Sequence, residues 1–155
     1  VPEIATKTQF YTLWEVKVQD PEKDRIYQGG DKVILADNGF FEIFPRNWLA
    51  GDPKQALSGL NQTVLTASSA EKYFSGLSLA EVIGKELTYY FFDTVYTQVT
   101  GVVADFSENT DIMFTDFISL WRGISRMKNW LAVSKVRPFV FFMYQRMSPS
   151  VRVST

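Results

Sequence analysis

The chain has 155 residues, 46% of them hydrophobic and 15% aromatic, which suits one domain with a real core and no need of staples. Lys and Arg number 16 against 17 Asp and Glu, a net charge of -1, so no global field points to nucleic acid. Cys and His are both absent, which removes thiol nucleophiles, disulfides, imidazole bases and the usual zinc ligands.

Val1-Pro2-Glu3-Ile4 reads as the middle of a domain rather than a natural start, and we expect a fragment of a longer protein. No segment reaches the roughly 18 apolar residues of a membrane span, and no signal peptide is visible. Residues 8–19 alternate. Phe10, Thr12, Trp14, Val16 and Val18 share one face and Gln9, Glu15, Lys17 and Gln19 the other, the pattern of one half-buried strand. Asp20-Pro21-Glu22-Lys23-Asp24 is a polar turn. Ile26 to Gln28 should pair back, Gly29-Gly30 should break or bulge the strand, and Lys32 to Ala36 should continue it. Asp37 is placed to cap a short helix carrying Phe40, Phe41 and Phe44, which Pro45 ends. The three rings read as core. Asp52 caps a further turn, with Pro53 at its first position, where a missing N–H costs nothing.

The stretch Asn61 to Gly76 organises the rest: a short apolar strand, Thr63-Val64-Leu65, then a short helix, then a glycine stop. Thr66 is a good N-cap, and Ser68 with Glu71 forms a competing capping box. Ala67, Ala70 and Phe74 give one apolar stripe that Tyr73 widens. Gly76 can take the left-handed conformation that ends a helix, with Leu77 folding back on the last turn. Such a unit cannot bury its stripe alone, so flanking strands must cover it. Ser78 and Glu81 repeat the capping-box pattern over a turn that ends at Gly84.

Leu87 to Phe92 and Val95 to Phe106 read as a hairpin around Asp93-Thr94, with a bulge at Gly101. Ser107 to Asp111 is a polar loop. Ile112 to Leu120 alternates again, although Asp116 sits on its apolar face. Trp121, Ile124, Met127 and Leu131 recur at near-helical spacing, with Gly123 weakening the helix. Phe139 to Tyr144 is apolar on both faces and reads as a central strand.

Four groups could carry chemistry. Ser69 and Lys72 have the Ser-x-x-Lys spacing of acyl-serine enzymes, but the Ser-Asp-Asn and Lys-Thr-Gly partners are missing, and a solvated helix face is the better reading. Glu108, Asp111 and Asp116 could hold a hard cation, though their spacing matches no calcium loop. Arg122, Arg126, Lys128, Lys135 and Arg137, with Trp121 and Trp130 between them, could lie against anionic head groups, and a solvated face docked by its Trp residues is favoured. Asn61-Gln62-Thr63 is a glycosylation acceptor only in a secretory eukaryotic setting, and we expect a bacterial source. No P-loop is present.

Five stretches then stand in one order: Gly39-Phe40-Phe41-Glu42-Ile43-Phe44; Leu49-Ala50-Gly51-Asp52-Pro53-Lys54-Gln55-Ala56-Leu57; Val64-Leu65-Thr66 with Ala70-Glu71-Lys72-Tyr73-Phe74; Ile83-Gly84-Lys85; and Val99-Thr100-Gly101-Val102-Val103-Ala104-Asp105-Phe106. In that order and at those gaps the sequence resembles the extracytoplasmic core domain of MacB-like ABC-transporter permeases, the group that includes FtsX-like permeases. The likeness covers residues 31–120 well and the ends loosely, and residues 121–137 follow no matching motif.

The resemblance implies an α+β fold with two lobes. Residues from about 31–106 would form a strand-rich lobe, and about 1–30 with 107–155 a membrane-proximal lobe of βαβ character, partly truncated here. The truncation would leave an exposed sheet edge. It further implies a non-catalytic periplasmic domain at the inner membrane, without catalytic, cofactor or metal residues, that relays ATP-driven movement to export. The implied partners are the protein's own transmembrane helices, an ABC ATPase subunit, a periplasmic adaptor and a second permease copy. Nucleic acid is not among them. The alternative is an extracytoplasmic module that senses a small molecule or peptide between the lobes, for which a closed pocket would speak. A hydrolase using Ser69 or a carboxylate pair is the third reading.

Overall fold

The computed structural model describes residues 3–13, 15–30, 32–91, 94–106, 113–119 and 138–145. Its elements run β1 (Glu3–Leu13), β2 (Val16–Asp20), β3 (Arg25–Gly30), β4 (Val33–Ala36), α1 (Phe40–Ile43), β5 (Trp48–Gly51), β6 (Gln62–Thr66), α2 (Ala67–Tyr73), α3 (Leu79–Val82), β7 (Glu86–Tyr90), β8 (Thr94–Val103), β9 (Asp116–Ser119) and β10 (Pro138–Gln145). The fold is α+β and strand-rich. One sheet takes the order β10-β1-β4-β9-β6-β8-β7-β2-β3, with β5 pairing to β8.

The first four strands are one long bent hairpin. Leu13 pairs with Val33 on β1–β4, and Val16 pairs with Gly30 on β2–β3. Two residues separate those pairs along the chain, yet β1 and β2 stand near opposite ends of the strand order. The sheet must therefore curl back on itself. The bend falls at Glu15, which has a φ of 53°, and the outer half carries a bulge where Val16 faces Gly30 and Lys17 faces Gln28. The expected interruption at Gly29-Gly30 is this bulge. The expected single strand over 8–19 is instead two strands, because the bend reverses the facing: Leu13 and Val16 enter the same core. In β1, Phe10, Tyr11 and Leu13 are all buried, since Phe10 enters one core and Tyr11 and Leu13 the other.

Both faces of the sheet centre are covered, each by its own core. Along β4, Val33 and Leu35 join one core and Ile34 and Ala36 the other. On β9, Ile118 and Phe117 divide the same way. Covering the first core is α2, with Ala70, Tyr73 and Phe74; covering the second is α1, with Phe40 and Phe41, beside Ala56 and Leu57 of the turn after Asp52. The alternation expected over 112–120 is accordingly absent: all four residues of β9 are buried. The segment expected as a central strand, β10, stands at the end of the sheet order beside β1. Apolarity along a strand does not by itself fix its place in the sheet order.

Local signals account for most ends. At α1, Gly39 rather than Asp37 is the N-cap, with no side-chain cap. Asp37 builds the preceding turn: its Oδ1 accepts the Gly39 N–H at 3.1 Å and the Thr8 hydroxyl at 2.5 Å. At the turn after Asp52, its carbonyl accepts the Gln55 and Ala56 N–H groups and its Oδ1 the Lys54 N–H at 3.0 Å. Gly76 sits at φ 86°, the left-handed stop that a side chain would strain. In the β6–β8 pairing Thr63 faces Val99 and Val64 faces Gly101, so Thr100 is the extra residue of the expected bulge. The helix expected near Trp121 to Leu131 and the loop at 107–111 lie outside the described residues.

Candidate functional site

The residues that meet around α2 come from across the chain. Thr66 starts the helix as its N-cap, with its hydroxyl accepting the Ser69 N–H at 3.3 Å. The competing box at Ser68 does not form. Ser68 lies inside the helix, and its N–H and hydroxyl both go to Asp105, at 2.9 and 2.5 Å. At the other end Lys72 reaches the edge strand β3, donating from Nζ to the Gln28 carbonyl at 2.7 Å, while the Tyr73 ring packs edge-on against Tyr27.

Between these ties lies Asp116, fully buried on β9. Its Oδ1 accepts from the Ser69 hydroxyl at 3.0 Å and the Thr115 hydroxyl at 2.8 Å. Its Oδ2 accepts from the Tyr73 hydroxyl at 2.8 Å and the Tyr89 hydroxyl at 2.9 Å. An ionised carboxylate offers about four lone-pair sites, so this one is saturated by hydroxyls alone. Burial pushes the Asp116 carboxyl above the usual carboxylate range, and the hydroxyl bonds from Thr115, Tyr73, Tyr89 and Ser69 pull it back. Burial and the neighbouring Asp116 charge push the Tyr73 and Tyr89 phenols well above their ordinary value, so both stay protonated donors.

This geometry separates the expected pair. Ser69 is buried and spends its hydroxyl on Asp116, whereas Lys72 is exposed at Gln28. The Ser-x-x-Lys spacing places no base at the serine. Of the three carboxylates, Asp116 is a core residue, and Glu108 and Asp111 lie outside the described residues. Among the described residues no group of three His, Cys, Asp or Glu is placed to hold a metal ion. The basic stretch Arg122 to Arg137, with Trp121 and Trp130, is also outside the described residues. Sequence reasoning missed Tyr73 and Tyr89 as partners of Asp116; the one signal was an acid on an apolar face, which demands donors from somewhere.

At the surface, an open groove of about 470 Å³ is lined by Leu60, Asn61, Glu86, Tyr96 and Gln98 among others. Leu60 is 58% exposed and Tyr96 70%. Near the Asp105 tie, Arg46 lies over the Phe106 ring, 3.5 Å from its centroid, and donates to the Ala104 carbonyl at 2.7 Å. Burial lowers the Arg46 pKa, opposed by the Asp105 charge.

Comparison with known proteins follows this fold. The profile of the family described as the MacB-like periplasmic core domain matches residues 3–153. No curated protein matches the chain. Among solved structures, a domain of a candidate permease protein from Porphyromonas gingivalis is similar over 97% of this chain, with 22% identity and a TM-score of 0.67. The present chain spans 64% of that domain's length. The extracellular domain of the noncanonic ABC-type transporter YknZ from Gram-positive bacteria is similar over 94% of this chain and 67% of its own, at 14% identity and a TM-score of 0.53. The periplasmic region of MacB from Actinobacillus actinomycetemcomitans is similar over 90% of this chain and 72% of its own, at 13% identity and a TM-score of 0.50. At such identities these structures speak for the fold alone.

Proposed function

The chain belongs to the MacB-like periplasmic core domain family, and on that premise we propose that it is the extracytoplasmic domain of an ABC-type permease. It relays ATP-driven movement of membrane helices to a substrate or partner protein outside, and runs no reaction of its own. In this reading the domain stands on the periplasmic side of the inner membrane, joined to its own transmembrane helices, an ABC ATPase subunit, an adaptor and a second permease copy. We take its lobes to be a strand-rich one at about 31–106 and a membrane-proximal one at about 1–30 with 107–155, a division that the β2–β7, β4–β9 and β6–β9 pairings would bridge.

One observation carries this reading. The helix α2 is bonded to Asp105 after β8, to Asp116 on β9 and to Gln28 on β3. A load applied at one strand therefore has a path to the others through α2, by one buried bond at Asp116 and exposed ones at Asp105 and Gln28. The open groove is the kind of surface that a partner contact uses.

The test uses the full-length protein with its ATPase in lipid nanodiscs. Spin labels on exposed Ile26 and on a membrane helix report their separation with and without trapped ATP. The separation should change as ATP is trapped. An unchanged separation while the membrane helices themselves move would refute the relay, and turnover of a substrate by the isolated domain would refute the absence of chemistry.

A further inference from the structure

The cluster around Asp116 continues past the carboxylate. The Tyr89 hydroxyl also lies 3.1 Å from Thr63 Oγ1 on β6, an arrangement in which either oxygen can donate, and Thr63 Oγ1 lies 3.2 Å from the Phe117 carbonyl, to which it can donate. These atoms form a short buried chain: Asp116 Oδ2, Tyr89 Oη, Thr63 Oγ1, Phe117 O.

We propose that Asp116, Tyr89 and Thr63 form a proton-accepting switch, built into the seat of α2, that is fully hydrogen-bonded in both of its states. In the first state the carboxylate is ionised, and Ser69, Thr115, Tyr73 and Tyr89 all donate to it. In the second, one proton taken from water rests on Oδ2 and is donated to Tyr89 Oη. The Tyr89 O–H turns to Thr63 Oγ1, and the Thr63 O–H is held by the Phe117 carbonyl. No other covalent bond changes. A carboxylate saturated with donors and lacking this outlet would set two hydrogens against each other when protonated.

The groups that face the cluster are few. Helix α2 brings Ser69 and Tyr73, β7 brings Tyr89, β6 brings Thr63, and the residue before β9 brings Thr115. From β4 comes apolar Val33, the register partner of Asp116. Lys32 lends its backbone carbonyl to the Thr115 and Asp116 N–H groups; the Thr115 hydroxyl stands 3.5 Å from that carbonyl, too long to rival its 2.8 Å bond to Asp116 or the 3.1 Å contact of Tyr89 with Thr63. Tyr27 of β3 packs on Tyr73, and the Lys72 Nζ sits 5.7 Å from the Tyr73 ring centroid. Among the described residues no Lys, Arg, Asp or Glu side chain is bonded to the Asp116 carboxylate. The proton is thus exchanged against hydroxyl orientation and burial, not against a salt bridge, and α2 feels it through Ser69 and Tyr73.

The experiment follows the Asp116 carboxyl carbon by NMR across pH in Asp-labelled protein, assigned by the Asp116→Asn variant. Asp116 should titrate above the ordinary carboxylate range. Thr63→Val removes the outlet needed only by the protonated state, so the titration should move down by about 0.7 pH unit, the equivalent of one hydrogen bond. Tyr73→Phe removes a donor to the ionised state and should move it up by a similar amount. Titration of Asp116 in the ordinary range, an unmoved Thr63→Val, or both variants moving the same way would overturn the switch. Should either variant fail to fold, infrared spectra of the wild-type protein decide. Below its titration point the Asp116 carbonyl band should be that of a hydrogen-bonded acid, and the band of a free acid would overturn the proposal.

Discussion

Lys72 Nζ donates to the Gln28 carbonyl at 2.7 Å and so closes α2 onto the outermost strand at one end of the sheet order. An edge strand presents unpaired backbone groups that invite another chain, and a lysine laid on that edge blunts it. With Tyr73 packed on Tyr27 beside it, the helix that covers the first core also shields the end of the sheet.

Phe41 is 8% exposed, and its ring touches Phe40, Trp48 and Phe117 with centroids 5.3, 4.9 and 5.0 Å away. Phe41→Ala should cost about 3–5 kcal/mol of stability through lost burial and the cavity left behind. Urea unfolding monitored by fluorescence reads the cost directly. A midpoint equal to that of the wild-type protein would mean that α1 does not anchor the second core.

The start of α2 separates two cap assignments. Thr66→Ala should lose about 1 kcal/mol, because its hydroxyl satisfies the Ser69 N–H. Glu71→Ala should stay within about 0.5 kcal/mol, since among the described residues Glu71 receives the Ser75 hydroxyl alone, at 3.4 Å on an exposed surface. Thermal melts of the two variants would reverse in order if the box at Ser68 were the working cap.

Stability should depend on pH through Asp116. Burial holds its folded pKa above the unfolded value, so the native state keeps the proton longer than the unfolded chain. The associated stability is fully present below the unfolded pKa, near 3.9, and is lost as pH rises through the raised folded one. In Asp116→Asn that decline should vanish. Urea midpoints taken across this window test it; a variant whose decline matches the wild type would assign the slope to other groups.

Trp48 lies where a side chain on Gly101 would go: an added Cβ would stand 2.5 Å from Trp48 Cζ3. Gly101→Ala should therefore cost about 1–3 kcal/mol by overpacking at the β5–β8 pairing. Adding Trp48→Leu should return part of that loss, a non-additivity expected of residues in contact. Strictly additive costs in the double-mutant cycle would place the strain elsewhere.

Short-range chemistry was legible before any coordinates. The Thr66 cap, the Ser78–Glu81 pair, bonded at 2.9 Å, the Gly76 stop and the bulges near Gly29-Gly30 and Gly101 all follow from residues a few positions apart. The ordered motifs also carried the family, which the match over residues 3–153 bears out. Where periodicity misled, the reason is a bend at Glu15 for residues 8–19 and burial on both faces for β9. A strand covered on each side by its own core, as β9 is, has no polar face to alternate.

What the sequence alone determined about this protein is its class, its family and those ends marked by a local cap or glycine stop, as at Thr66, Ser78 and Gly76, since capping, turn conformation and motif order are properties of neighbouring residues. Only the tertiary structure decided which strands are neighbours, that the first hairpin bends across the curl of the sheet, and that Asp116 meets Tyr73 and Tyr89, which stand 43 and 27 residues away along the chain. Such meetings depend on how the whole sheet closes over its two cores. No local rule carries that information, because many registers bury the same apolar residues and a buried acid only requires donors without naming them.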